Sequence, residues 1–141
     1  MIRFSPTPLE PGRLRECLDS PAAGGVVIFE GRVRNHHDGR SVLFLEYEAF
    51  VEMAEAEMGA IVRETRDRFD VLEILAEHRV GRVEIGEVAV WIGVTSVHRG
   101  PAFLACSYVI DALKHRLPIW KKEFYSDGQS LWVSCHARQQ S

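Results

Sequence analysis

Residues 87–125 read EVAVWIGVTSVHRGPAFLACSYVIDALKHRLPIWKKEFY, and this stretch decides the fold class. Glu87 to Thr95 is rich in β-forming residues and predicts a strand. From Pro101 to Leu117 the apolar residues recur at helical spacing, with one proline in the first turn and Pro118 as a terminator. Trp120 to Tyr125 then predicts another strand. The change of period indicates a domain in which helices are inserted between strands.

The remaining segments extend this mixed order in both directions. We predict further strands over 2–4, 24–33, 42–47, 71–80 and 131–133, a short helix from Pro11, and a long helix over 50–69. Residues 35–40 are expected to form a loop, 81–86 a bend or bulge, and Asp127-Gly128 a hairpin turn. The expected fold is therefore an α+β domain with a mostly antiparallel sheet and two long helices.

Each predicted element has an expected apolar face. On the strand over 42–47, Leu43, Leu45 and Tyr47 should share one face. The apolar stripes of the two long helices are Phe50, Ala54, Met58, Ile61, Thr65 and Phe69, and then Phe103, Cys106, Ile110, Leu113 and Leu117.

Length and composition bound the class of protein. The chain has 141 residues, of which 46% are hydrophobic and 26% charged, so we expect a single globular domain over 1–141. The longest apolar run, Val88 to Val94, is far below the roughly 20 residues that span a bilayer. Because the N-terminal residues lack the pattern of a secretory signal, we expect a cytoplasmic protein without membrane contact. Three distant cysteines, Cys17, Cys106 and Cys135, argue against a disulfide framework or zinc site.

The cations are concentrated in two short stretches of an acidic chain. The net charge is −3, yet Arg99 to Lys122 carries five Lys or Arg residues against one Asp. Arg32, Arg34 and Arg40 form a second basic group. Such a distribution suits one compact anion better than a long nucleic-acid backbone.

Lys114 is the most informative single residue. Its helical angle places it near the edge of the apolar stripe, so we expect the side chain to be half-buried. One interpretation is that the stem covers apolar surface while the ammonium reaches water. The other is a desolvated amine that acts as an acid, base or nucleophile near neutral pH.

Two further segments carry candidate site residues. Strand alternation after Pro118 places Lys121 and Glu123 on one face and Lys122 on the other. Arg32 and Arg34 share a strand face and can grip a phosphate, while His98 and Arg99 lie between a strand end and a helix start, where anions commonly bind.

Three alternatives remain open from the residues alone. His36 and His37 with His98 could be imagined as metal ligands, although their spacing matches no common site. A cysteine could carry a persulfide, although no cysteine has an activating pattern around it. A small RNA-binding module could use the basic loop near His36 with Trp120 and Tyr125 as stacking platforms.

Several motifs, in the right order, resemble the catalytic (large) subunit of molybdopterin synthase. They are 29–36 (FEGRVRNH), 46–50 (EYEAF), 78–81 (HRVG), 98–103 (HRGPAF), 110–114 (IDALK) and 118–123 (PIWKKE). The family's catalytic and binding positions fall on Arg32, Arg34, His98, Arg99, Lys114, Lys121 and Glu123. Val33 and Lys122, inside the same motifs, complete the set of candidate substrate-binding residues.

The resemblance implies an α/β hammerhead-type fold and a homodimer at the centre of a heterotetramer. A small ubiquitin-like sulfur-carrier subunit would bind at each end, and its C-terminal Gly-Gly thiocarboxylate would deliver sulfur to cyclic pyranopterin monophosphate. Two transfers would give the dithiolene of molybdopterin, with no metal and no cofactor held by the chain. Lys114 and Lys121 are the implied catalytic residues, and Glu123 would orient Lys121.

Overall fold

A computed structural model describes residues 2–134. Its nine strands and three helices in this range are β1 (Ile2–Ser5), α1 (Pro11–Glu16), β2 (Gly25–Arg32), β3 (His36–His37), β4 (Arg40–Ala49), α2 (Val51–Arg68), β5 (Glu73–Arg79), β6 (Gly81–Glu84), β7 (Val88–Ser96), α3 (Arg99–Arg116), β8 (Ile119–Tyr125) and β9 (Ser130–Ser134). The predicted α+β class with two long helices is confirmed. No helix of this range is long and apolar enough to cross a membrane.

The strands form two sheets. The first has the order β1-β5-β7-β2, and the second has the order β3-β4-β8-β9 with β6 also paired to β4. Among the described strands, β1 with β5 is the only parallel pair, so the expectation of a mostly antiparallel arrangement is confirmed. The β2 to β7 register shifts between Gly31 and Arg32. An irregularity of this kind bends a strand and redirects the side chains that follow.

The main core lies between the first sheet and the two long helices. Its members are Met58 and Ile61 of α2, Ile74 and Ala76 of β5, Val90, Ile92 and Val94 of β7, Ala102, Ala105, Cys106, Val109 and Leu113 of α3, and Leu117 and Ile119 beyond it. The alanines of α3 let the helix approach the sheet closely. The lysine that follows Leu113 is thereby carried to the edge of this core.

Three predicted core positions are wrong. Phe103 is 60% exposed because the buried face of α3 is centred on Ala102, Ala105 and Val109 rather than on the larger residues. Phe50 is exposed and packs edge-to-face on Trp120, since α2 begins one residue later at Val51. Phe50 precedes its helix, where the backbone is not yet helical, whereas Phe103 lies in the second turn of α3 on the flank of the buried face.

The third exception lies on β4, where Leu43 is 52% exposed and Val42 is buried in its place. The pairing of β4 with β8 shifts between Val42 and Phe44, and this shift reverses the alternation that the sequence predicts. From Leu45 onward the expected face is restored, with Leu45 buried.

Two connections fix the edges of the second sheet. Residues 35–40, expected to be a loop, contain β3, and His37 pairs with Arg40 across a two-residue turn. Asp38 and Gly39 both have positive φ angles, 49° and 77°, as a tight hairpin turn requires. The predicted turn at Asp127-Gly128 is confirmed between β8 and β9, and residues 81–86 contain β6 as well as a bend.

Candidate active site

A cavity of about 310 Å³ opens between the two sheets and the C-terminal half of α3. Its lining comes from seven elements of the chain: Phe29 to Arg34 around the end of β2, His36 and His37 of β3, Val42, Leu45 and Tyr47 of β4, His78 of β5, Ala89 and Val90 of β7, Ile110, Leu113 and Lys114 of α3, and Ile119, Lys121 and Glu123 of β8. The predicted residues Arg32, Val33, Arg34, Lys114, Lys121 and Glu123 are therefore brought together.

The floor of the pocket is apolar and its walls are cationic. Val33, Val42 and Leu45 are buried in one cluster beneath it. Arg32 and Arg34 flank Val33 but remain exposed, so they lie at the opening, as expected for two residues on one strand face. The Arg32 Nε–H donates to the Gly86 carbonyl at 3.1 Å. An anion can thus meet two guanidinium groups before it reaches the apolar floor.

Lys121 and Glu123 lie side by side on the pocket face of β8. Their side chains are 14% and 4% exposed, and Nζ of the lysine is 3.8 Å from Oε2 of the carboxylate. The shared face follows from the strand alternation that the sequence predicts. The two residues therefore form a nearly buried ion pair in the wall of the cavity.

Glu123 has two further partners that the sequence analysis missed. His37 Nδ1 lies 2.6 Å from Oε2, and the Tyr125 hydroxyl donates to Oε1 at 2.6 Å. Burial alone would raise the pKa of Glu123, but these hydrogen bonds and the charge of Lys121 outweigh burial and lower it. Burial and the bond to Glu123 raise the pKa of Tyr125 to about 12. The Glu123 carboxylate is thus held in place by hydrogen bonds to the Tyr125 phenol and the His37 imidazole.

Lys114 is half-buried, as its helical angle predicts, and it lines the pocket beside His78. His78 is buried, with its ring 5.1 Å from that of Tyr47 in an edge contact. Burial lowers the pKa of His78 to about 4, and the positive charge of Lys114 adds to this effect. The imidazole is therefore neutral at neutral pH. Its Nδ1–H donates to the Arg79 carbonyl at 2.7 Å, which leaves Nε2 as an acceptor.

His98 and Arg99 do not line the pocket of their own chain. Both are exposed at the start of α3, and Arg99 packs against Gly25, where an added Cβ would lie 3.2 Å from the arginine Cα. Gly25 begins β2, whereas Arg32 ends it. Seven residue steps along the strand separate them, a distance of roughly 23 Å at about 3.3 Å per residue. The two cation groups that the sequence places in one site are thus far apart within one chain.

Lys122 also lies outside the pocket. Its ammonium is 5.2 Å from the ring centre of Phe124 and 5.6 Å from that of Trp132. Alternation along β8 turns it away from Lys121, so its place among the candidate substrate-binding residues is not matched by the geometry of the pocket.

The described cysteines lie away from the cavity. Cys106 is buried in the main core, and burial raises the pKa of its thiol to about 11. Cys17 is exposed at the end of α1, and its Sγ is 3.4 Å from the Arg13 carbonyl oxygen. Cys135 falls outside the described residues. A thiol of the described range is therefore not placed to react in the pocket.

The structure does not bring together the residues considered above for a metal site or for an RNA-binding surface. Residues 2–134 contain no group of three side chains that could hold a metal ion, and His98 lies far from His36 and His37 within one chain. Tyr125 is buried under the Arg40 guanidinium, 3.6 Å from its ring centre, while Trp120 packs on Phe50. These two rings are not a common stacking platform.

The fold and pocket define an enzyme-like α+β domain with a cationic, partly desolvated cleft. A sequence model of the family described as "MoaE protein" matches residues 4–116. The molybdopterin synthase catalytic subunit of Nostoc sp. is 41% identical over 141 residues, covering 99% of this chain and 84% of that protein. The same subunit of Thermoplasma volcanium is 44% identical, covering 93% and 96%.

The structural comparison agrees. Molybdopterin synthase from Staphylococcus aureus superimposes with a TM-score of 0.86 at 35% identity, covering 92% of this chain and 94% of that one. The chain belongs to the MoaE family, the catalytic subunits of molybdopterin synthase. It is an enzyme of molybdenum-cofactor biosynthesis, a sulfurtransferase.

Proposed function

We propose that this chain transfers sulfur from the C-terminal thiocarboxylate of a small ubiquitin-like subunit to cyclic pyranopterin monophosphate. Two transfers supply the two sulfur atoms of the dithiolene. One observation carries the proposal: the pocket joins two amines, Lys114 and Lys121, to the arginines at its opening without a thiol from the described range. Such a site can bind an anionic substrate and an anionic donor, but its sulfur must come from outside.

The groups of the pocket divide the work by position. Arg34, with Arg32, binds the phosphate at the opening, since guanidinium groups pair with phosphate oxygens bidentately. Lys114 and Lys121, deeper in the cavity, transfer protons and stabilise the oxyanion that forms when water attacks the carrier's acyl carbon. This attack breaks the carbon–sulfur bond, which leaves the sulfur on the pterin and a carboxylate on the carrier. Glu123 keeps the Lys121 ammonium directed into the pocket through their 3.8 Å contact.

His98 and Arg99 enter this site from a second copy of the chain. Within one chain they lie roughly 23 Å from Arg32, the span of β2 at about 3.3 Å per residue. The neighbouring segments carry exposed apolar side chains, Val26, Val97, Phe103 and Leu104, and β2 is the end strand of its sheet. Burying this face in a homodimer removes apolar surface from water and brings the second cation group to a neighbouring pocket.

A small partner subunit then completes the assembly. The relatives are named catalytic subunits, which implies a further subunit. A thiocarboxylate at the end of a flexible tail can reach a cleft that a globular donor cannot enter. The assembly that follows is a heterotetramer with the homodimer at its centre and one sulfur carrier at each end. The cytoplasmic location stays a prediction of the sequence.

Reconstitution tests the proposal. The purified chain, the thiocarboxylated partner and cyclic pyranopterin monophosphate should give molybdopterin, detected by mass spectrometry. A partner that ends in an ordinary carboxylate should give none, while Lys122→Ala should match the wild-type chain. Product formed without the thiocarboxylate, or no product with it, would overturn the proposal. Copurifying nucleic acid, seen as a high 260/280 nm absorbance ratio, would instead favour an RNA-binding module.

A further inference from the structure

His37 lies in the pocket wall but belongs to none of the roles assigned above. It is the second residue of β3, and the tight turn at Asp38 and Gly39 returns the chain to β4 directly after it. Its side chain is only 11% exposed. A hairpin of this kind holds the imidazole in a fixed position, because both turn residues adopt the backbone that the turn requires.

The imidazole is hydrogen-bonded to the carboxylate of Glu123, which forms an ion pair with Lys121. Its Nδ1 is 2.6 Å from Glu123 Oε2, the same oxygen that lies 3.8 Å from Lys121 Nζ. An ionised carboxylate only accepts hydrogen bonds, so the Nδ1–H of His37 donates to it. Tyr125 donates to the other oxygen, Oε1. With one donor on each oxygen, the carboxylate cannot rotate without breaking a bond.

We propose that His37 is a positioning residue for the sulfur transfer, acting through Glu123 on the Lys121 ammonium. The inference rests on the proposed function. Because 3.8 Å exceeds a hydrogen bond, Lys121 can donate its own hydrogen bonds to a bound substrate while the carboxylate still holds it in place. Removing His37 frees Oε2, and the carboxylate can then turn toward the lysine or away from it.

The same contact keeps Glu123 ionised. Burial by itself would raise the pKa of this carboxyl, and the His37 hydrogen bond is one of the interactions that lower it instead. The charged and titratable groups around His37 are Lys121, Glu123 and Tyr125 on β8, with Asp38 and Arg40 on its own hairpin. Asp38 Oδ1 is 3.6 Å from Nε2, and the Arg40 guanidinium covers the Tyr125 ring.

Two amide side chains separate the roles of the two ring nitrogens. In His37→Asn the amide nitrogen lies near the place of Nδ1 and can still donate to Glu123. In His37→Gln it lies near the place of Nε2 and cannot. His37→Ala removes both donors, and His115→Asn, on the exposed face of α3, is the matched control for loss of a histidine.

Two measurements are made on each variant in the complete reconstituted complex. The first is kcat and KM for the pyranopterin. The second is the titration of Glu123, followed by NMR with 13C at the glutamate side-chain carboxyls and assigned with Glu123→Gln. We expect His37→Ala and His37→Gln to lower kcat about tenfold, as for loss of a charge-assisted hydrogen bond, with KM little changed. Their Glu123 midpoint should rise, whereas His37→Asn and His115→Asn should resemble the wild type.

The kinetic and titration results test the positioning role separately. Wild-type kcat in His37→Ala, or equal losses in His37→Asn and His37→Gln, would overturn the positioning role. If the wild-type complex makes no molybdopterin, the proposed function fails, and the NMR titration decides about His37 alone. An unmoved Glu123 midpoint in a folded His37→Ala protein would then overturn the inference, and a raised midpoint restored by His37→Asn would uphold the control of Glu123 by His37.

Discussion

Lys114 lies where the last turn of α3, a buried neutral histidine and the pocket meet. Its stem leaves the apolar core at Leu113, so burial of the stem, the simpler of the two interpretations, is part of its environment. The residue also lines the cavity beside His78. The two interpretations are therefore compatible, and the position supports an amine that meets the substrate.

Lys114→Ala and Lys114→Arg should both lose most turnover while they fold, dimerise and bind the partner subunit. Arginine keeps the charge, but it stays protonated and is bulkier, so it cannot replace an amine that transfers a proton. Steady-state assays with thiocarboxylated partner, together with circular dichroism and size-exclusion chromatography, measure these properties. Lys122→Ala is the matched control on the outer face of β8. An active Lys114→Arg enzyme would reduce this lysine to an electrostatic contact.

Replacing Cys17, Cys106 and Cys135 together by alanine should leave partner-dependent turnover largely intact. The thiol of Cys106 is buried with its pKa raised to about 11, so it is not a thiolate at neutral pH. Cys106→Ala does remove core packing and should lower stability by about 1 kcal/mol. Turnover and thermal unfolding of the triple variant are the measurements. A folded triple variant without turnover would contradict an external source of sulfur.

The contacts of Glu123 show which parts of the site can be predicted from the sequence. Lys121 and Glu123 could be predicted to share a face, since alternation along one strand decides it. The same alternation places Tyr125, two residues further on, beside Glu123. His37 could not be joined to Glu123 in this way, because its contact depends on the pairing of β3, β4 and β8. The Asp38-Gly39 pair was the available signal, as such a pair favours a tight hairpin turn.

Helices α2 and α3 are joined by a group of ionic contacts at their exposed edge. The Arg116 guanidinium donates to Glu57 Oε1 and to both carboxylate oxygens of Glu64, and the Tyr108 hydroxyl also donates to Glu64. Hydrogen bonds from Arg116 and then Tyr108 lower the pKa of Glu64 to about 2. The group ties the end of the Lys114 helix to the neighbouring helix.

Glu64→Gln should therefore lower the melting temperature at neutral pH, and the loss should shrink in acid. A carboxyl whose pKa falls from about 4.5 to about 2 on folding adds stability above pH 4.5, and this stability disappears as the pH falls toward 2. Thermal unfolding of both proteins between pH 7 and pH 2 measures the difference, with Glu55→Gln on the exposed face of α2 as control. An identical difference at every pH would show that the ion pair is not its cause.

The sequence predicts the presence of each helix and strand better than it predicts which of their residues are buried. Each strand and helix expected from hydrophobic periodicity over residues 2–134 has a counterpart, because burial of one face dictates the period. The assignment of Phe50 and Phe103 to the core is wrong, since Phe50 precedes α2 and Phe103 lies on the flank of the buried face of α3. The small residues Ala102 and Ala105 allow α3 to pack closely on the sheet. A prediction of the buried face from the large apolar side chains alone does not include them.

The two cation groups lie far apart within one chain. The sequence places Arg34 and Arg99 in one anion site, yet the length of β2 separates their surroundings within a chain. Distances between elements depend on topology, which one sequence does not reveal. The proposed homodimer reconciles both observations, because a pocket that takes Arg34 from one chain and Arg99 from the other needs no contact between them inside either chain.

A mixture of two defective chains tests this arrangement. Arg34→Ala and Arg99→Ala should each weaken pyranopterin binding roughly tenfold or more as homodimers, since each loses a guanidinium contact to the phosphate or pterin. After the two variants are dissociated and reassociated in equal amounts, half of the dimers are mixed, and each mixed dimer has one intact pocket. Turnover at low substrate should therefore recover to about one quarter of the wild-type value. Mixing Arg34→Ala with Arg32→Ala is the matched control and should restore nothing, because both changes fall in the same cation group. If the first mixture is no more active than its components, His98 and Arg99 do not serve the pocket of a second copy.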